Sequence, residues 1–210
     1  SGTISGGGVL TGWRGQTPSL LTGVHNFFAA VPGGPAAGVP QGTSYGSVNV
    51  LATGTAIVSG MTAEGLAFGS SAMISATGQV LVYQALYVTP GTFSGTLGIA
   101  NDSPRTLTGS LTWSKPSQTS GTTYRTGWTP VMNLAASGGR YRPVSGSTAI
   151  LNLVDAGVNN ARMFFQDGGV EAFASNPTTG NFRLSVPALV SGSLPHTLTI
   201  TNSTGAFRGT

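Results

Sequence analysis

Charge is the scarcest commodity in this sequence. Asp, Glu, Lys and Arg together make up 7% of its 210 residues, against about 25% in an ordinary globular domain. Only five acids are present, Glu64, Asp102, Asp155, Asp167 and Glu171, and Lys115 is the single lysine. Cysteine is absent. That excludes a disulfide scaffold and a thiolate metal site, and it fits an exported chain free of stray thiols. The Ala, Glu, Lys, Leu and Arg bulk of a coiled coil or helical bundle is missing too. No run approaches the roughly 18 apolar residues of a membrane helix. The first residues, Ser1 to Gly8, lack the basic start and apolar run of a signal peptide, which fits a mature, processed form or a cytosolic product; the missing cysteine leans towards the former.

What is present is glycine and hydroxyl. The chain has 33 Gly, 23 Ser and 28 Thr. Its polar surface must be built from hydroxyls, amides and backbone. With 39% hydrophobic residues, it can still bury a core, which argues against disorder. The formal charge of +4 comes from few acids more than many bases. The arginines are scattered, and only Arg140 and Arg142 lie close, two apart on one strand face. A nucleic-acid partner would ask for a clustered basic stripe, so none is expected.

Alternation with period two runs throughout, broken by Gly, Asn and Pro turns. The reading is strands over 24–31, 45–51, 55–61, 66–76, 79–88, 92–100 and 106–114. A polar loop follows over 115–130, held at the core edge by Tyr124 and Trp128. Further strands are expected at 139–144, 149–154, 161–166, 170–174, 182–186, 196–201 and 206–210. Short strands at turn spacings of roughly 8–14 residues predict an all-β fold, an antiparallel meander closed into a barrel or sandwich, with little or no helix. The division expected is a Gly-rich N-terminal segment, 1–22, either a strand donor or a flexible leader, and a single β domain, 23–210. A triplet of apolar residue, any residue and Gly recurs at Val58-Ser59-Gly60, Phe93-Ser94-Gly95 and Leu107-Thr108-Gly109, among others. Glycine weakens a strand interior, so its repetition points to a sheet that must curl.

Catalytic chemistry finds little footing. Glu64 and Asp102 fall in turns, where solvated or turn-forming carboxylates are the norm. Asp167 and Glu171 flank another turn, and no two acids mark a glycosidase pair. His25 alternates beside Phe27 and Phe28 as a sheet-face residue, and His196 has no nucleophile elbow to serve. Two histidines and scattered acids make a poor zinc set. No enzyme, metal or cofactor is expected. Among aromatics, Tyr83 and Tyr87 stand four apart on one strand face, and Trp113 and Trp128 flank the polar loop. These four could face a ligand, or close a barrel end.

Several segments carry a resemblance. They include QGTSYGSVNV at 41–50, LVYQALY at 81–87, LTGSLTWSKP at 107–116, GRYRP at 139–143 and LTITNSTGAFRGT at 198–210. In this order, over about residues 24–210, the chain resembles a β-rich domain of large secreted or cell-surface proteins of Verrucomicrobia-like bacteria that also carry immunoglobulin-like repeats. The resemblance implies an extracellular, non-catalytic protein and carries over no catalytic residue. In that family the strand resembling Ala206 to Thr210 continues into further strands, whereas here the sequence stops at Thr210. The expectation that follows is assembly by strand addition. Thr3, Ile4, Ser5, Val9 and Leu10 would supply a strand to its own sheet or a neighbour's, and Ala206, Phe207 and Arg208 would form the accepting edge. The expected partner is a second copy of the chain, in a filament or surface layer, with surface glycans or other cell-surface proteins as further partners. Membrane insertion is not expected. The other classes weighed are a ligand- or glycan-binding barrel and a viral coat subunit.

Overall fold

The computed structural model describes residues 2–4, 8–10, 12–15, 19–33, 38–40, 42–88, 90–121, 123–143, 161–164, 179–185, 189–192, 197–201 and 204–209. Two compact units follow one another along the chain, Ser1–Tyr141 and Arg142–Thr210. The division falls inside the span 23–210 that the sequence reading took as one domain.

The first unit opens with a small hairpin of β1 (Gly2–Ile4) and β2 (Gly8–Leu10), in which Thr3 faces Val9. Eight strands follow. They are β3 (Gly23–Ala30), β4 (Ser44–Val50), β5 (Thr55–Met61), β6 (Ala67–Met73), β7 (Gln79–Leu86), β8 (Gly91–Ile99), β9 (Thr106–Lys115) and β10 (Trp128–Arg140). Each pairs antiparallel with its chain neighbour except at β6 and β7, and β10 returns to pair with β3. The result is an all-β, nearly closed barrel. Among the described residues, no helix occurs.

The β6–β7 seam is the one junction without a main-chain ladder. Side chains bridge it instead. Ser70 Oγ accepts from the Tyr83 N–H at 3.3 Å and donates to the Leu81 carbonyl at 3.5 Å. The Gly69 N–H donates to Gln84 Oε1 at 3.3 Å. A strand edge left open would be a template for pairing; here two polar side chains cover part of it.

Strand alternation sends one face of every strand inward. Val48, Val50, Ala56, Val58, Val80, Leu97, Leu107 and Leu111 are almost wholly buried. An aromatic file runs through this interior. Phe27 and Phe68 lie 6.5 Å apart, Phe68 stacks on Phe93 at 4.5 Å, and Phe93 meets Trp113 edge-on at 6.1 Å. Glycines make room for it. Phe27 faces Gly46, Gly46 faces Gly60, and Gly60 faces Phe68 across four strands. A Cβ on Gly46 would stand 2.9 Å from the Phe27 ring, and one on Gly60 would stand 2.9 Å from the Gly46 Cα. The Gly60 member of the recurring triplet therefore serves the packing of rings against a bent sheet.

The sequence reading placed a loop up to residue 130 and a strand from 139. Instead, β10 covers Trp128–Arg140 and is the longest strand, at 13 residues. Its inward positions, Met132, Leu134 and Ala136, are buried, but their neighbours are small and the alternation in sequence is weak. Tyr83 and Tyr87 also depart from expectation, since they do not share a face. β7 ends at Leu86, and Tyr87 adopts φ 70°. That turns it away from the line of the exposed Tyr83.

The second unit is a five-stranded antiparallel meander of β11 (Ala161–Phe164), β12 (Thr179–Ser185), β13 (Leu189–Gly192), β14 (Thr197–Thr201) and β15 (Ala206–Gly209), in that order. The strands expected at 149–154 and 170–174, and His196, lie outside the described residues.

Candidate functional site

One end of the barrel gathers the polar chemistry of the first unit. Lys115, the last residue of β9, points inward with 3% of its side chain exposed, and pairs with Glu64 of the β5–β6 turn, 7% exposed. Glu64 thus sits in the turn expected for it, but it is buried and paired rather than solvated. Lys115 Nζ donates to Glu64 Oε1 and, at 3.1 Å, to the Thr123 carbonyl. Thr123 Oγ1 donates to the same Glu64 Oε1 at 3.0 Å. The other carboxylate oxygen accepts from Tyr87 Oη at 2.8 Å, and Tyr87 Oη in turn accepts from Trp113 Nε1 at 2.9 Å.

Aromatic rings enclose the ammonium. Its nitrogen lies 5.0 Å from the Tyr87 ring centre, 5.4 Å from Trp128 and 5.9 Å from Tyr124. These are cation–π distances. Trp128 packs edge-on against Trp113 at 4.7 Å and donates to the Trp113 carbonyl at 3.0 Å. Burial is the largest cause pushing the Tyr87 phenol well above its ordinary pKa, with the Glu64 hydrogen bond and charge adding to it.

A buried ion pair carries a desolvation cost of several kcal/mol per ion, offset only when geometry and further hydrogen bonds satisfy both partners. Here each carboxylate oxygen has a neutral hydroxyl donor besides the ammonium's contact. Three segments far apart in sequence are thereby tied over the barrel mouth: the β5–β6 turn, the β7–β8 turn and the β9–β10 loop.

Three of the four aromatics singled out from sequence, Tyr87, Trp113 and Trp128, meet in this cluster; Tyr83 stays outside it. They surround the protein's own lysine rather than open space. Tyr124 and Trp128 pin the loop as expected, 6.2 Å apart. Lys115 and Glu64 were missed as a pair, being 51 residues apart. The available signal was that the single lysine directly follows the expected strand 106–114, two residues after Trp113.

The opposite end of the barrel holds His25, fully buried on β3. Its Nδ1 lies 3.2 Å from the Gly23 carbonyl, so Nδ1 carries the proton. Nε2 is, among the described residues, the buried side-chain atom without a hydrogen-bond partner. Burial holds this imidazole below its ordinary pKa, and the Arg140 and Arg105 charges add to that, against the main chain at Gly23 and Val48. Nearby at the rim, Asp102 accepts from the Thr106 hydroxyl at 2.7 Å and from its N–H at 2.8 Å, which, the hydroxyl first, lower the carboxyl pKa. A cleft of about 160 Å³ lies at this rim, lined by Ser19, Leu21, Thr77 and Ile99 among others, with no titratable side chain. Among the described residues, no three of His, Cys, Asp and Glu gather.

The strand-addition residues are placed as follows. Thr3 and Ile4 pair with Val9 and Gly8, and Leu10 pairs with Gly2, so the segment folds on itself as a hairpin rather than extending as one strand. Ser5 lies outside the described residues. Ala206, Phe207 and Arg208 pair with Thr201, Ile200 and Thr199, and β15 ends its sheet.

The barrel wall is the other distinctive surface. Of all residues in its eight strands, only Lys115 and Arg140 are charged. Lys115 points inward, and Arg140, at the last position of β10, lies against Gly23. The outward positions are mostly Ser, Thr, Gly, Asn, Gln and Ala, with Phe28, Tyr45, Ile57, Met73, Leu81, Tyr83 and Val131 exposed among them. No protein-family model, curated protein or solved structure matches the chain.

Proposed function

We propose that the protein is a non-catalytic structural module of the cell exterior that works by associating with copies of itself. The observation that carries this reading is the uncharged barrel wall. Net charge spread over a surface keeps proteins apart in solution. A wall of hydroxyls and scattered apolar side chains presents no charge to desolvate when two copies meet. The cross-strand pair Phe28 and Tyr45, 50% and 58% exposed, supplies an apolar centre for such a contact. The filled barrel interior argues against the alternative of a ligand-binding barrel.

Strand addition is the second route of association within this reading. Among the described residues, the outer edges of β15 and of the β1–β2 hairpin have no strand beside them, and such edges suit it. Head-to-tail use of them would give an open filament, and a closed symmetric contact would give a discrete oligomer.

Sedimentation velocity over a concentration series, with negative-stain microscopy, tests both routes. The expected result is association that falls away in Phe28→Lys and Ser110→Lys, with melting temperature unchanged. If deleting Ser1 to Leu10 also abolishes it, the hairpin takes part. A monomer at every concentration would overturn the proposal.

A further inference from the structure

The geometry points to a covalent amide between Lys115 Nζ and Glu64 Cδ, formed by the folded protein itself. The inference is independent of the self-association reading. Lys115 and Glu64 are sealed together, 3% and 7% exposed, under Tyr87, Trp113, Trp128 and Tyr124. An amine held against a carboxyl with both side chains almost wholly buried is the substrate arrangement for condensation.

The chemistry balances without a cofactor or oxidant. Proton transfer from the ammonium to the carboxylate gives the amine and carboxylic acid that react. The amine lone pair then attacks Cδ. Negative charge develops on Oε2, where the Tyr87 hydroxyl already donates at 2.8 Å, itself polarised by Trp113 Nε1 at 2.9 Å. That is the placement of an oxyanion donor. Oε1 leaves as water, assisted by the Thr123 hydroxyl at 3.0 Å. One C–O bond breaks, one C–N bond forms, and the two amine protons lost in the net step leave with the oxygen as one H2O.

Amide formation in water runs uphill. Two features oppose that here. Folding has already brought the amine and the carboxyl together, so the association entropy of a bimolecular condensation is not lost again. The amide also removes two buried ions, and with them their desolvation cost.

The link has a structural consequence. It would join the β5–β6 turn to the end of β9, and so bridge the barrel mouth over the β6–β7 seam that lacks a main-chain ladder. The weakest junction of the barrel would lie within a covalently closed loop, which restrains the unfolded chain.

The test is the mass of the denatured, purified protein with its amine count. The linked chain is expected to weigh 18 Da less than its sequence, one water in mass. It should take one amine-reactive label, on the N-terminus, because Lys115 is the single lysine. Fragmentation should yield a branched peptide joining residues 64 and 115, and Lys115→Arg should return to the sequence mass. A wild-type protein of full sequence mass that takes two labels overturns the inference. So does a mass loss whose fragments show Glu64 and Lys115 in linear peptides. The wild-type measurement decides even if the variant fails to fold.

Discussion

The two ends of the barrel bury polar groups in opposite ways. β10 runs from one end, where Trp128 pairs with Lys115, to the other, where Arg140 pairs with His25. At the first end a charged pair is buried with its polar atoms engaged by Thr123, Tyr87 and, through Tyr87, Trp113. At the second, a neutral imidazole is buried with Nε2 unpartnered. The difference teaches that burial alone does not set the cost of a polar group. A complete network can hold two charges, while one open lone pair is a standing penalty of about 1–3 kcal/mol.

The largest test of this contrast is Glu64→Ala. It leaves Lys115 buried without its partner, and the expected loss is about 3–5 kcal/mol, read from the urea midpoint by tryptophan fluorescence. A loss under about 1 kcal/mol, the range of an exposed pair, would show that water reaches the site. Tyr87→Phe comes next. It keeps the ring but strips Glu64 Oε2 and Trp113 Nε1 of a partner, with an expected loss of about 2 kcal/mol in the same assay. Between the ends, Ser70→Ala removes the hydroxyl that bridges β6 to β7. It should lose about 1 kcal/mol and speed amide exchange in β6 and β7 above that in β3 and β4; unchanged exchange would mean the seam does not depend on Ser70.

The smallest effect at neutral pH belongs to His25→Leu, since a neutral imidazole with an open lone pair gives way to an apolar side chain. Its signature lies in pH. The folded His25 pKa is held below the ordinary 6.5. Stability from the neutral form is therefore present above that value and lost as pH falls through it towards the folded pKa. Wild type should weaken as pH falls below about 6.5, and His25→Leu should flatten that part of the profile. Equal slopes in the two proteins would remove His25 from the account.

Much of the fold was legible in sequence. Turns such as Thr53-Gly54, Ala63-Glu64-Gly65 and Thr77-Gly78 fall between strands, and the Tyr45 to Val50 alternation became β4. β10 was harder, because its second half, Ala135 to Gly139, uses small residues on both faces. Gly138 is small for a reason that sequence hides: a Cβ there would stand 2.7 Å from the Phe27 Cα on the neighbouring strand. The site was harder still. Trp113 and Trp128 could be named as aromatics that close a barrel end, but their shared target could not. A turn glutamate reads as solvated unless a distant lysine is known to stand beside it.

By itself, then, the sequence determined what depends on near neighbours: strands from period-two alternation, turns from Gly and Asn, and a surface with almost no charge. Only the tertiary structure decided what depends on closure. Wrapping eight strands brought Lys115, Glu64 and Tyr87 over one mouth, set His25 without a partner for Nε2 at the other, and left β6 beside β7 with side chains in place of a ladder. The reason is that alternation sets which way a side chain points, whereas the register around the barrel sets what it meets.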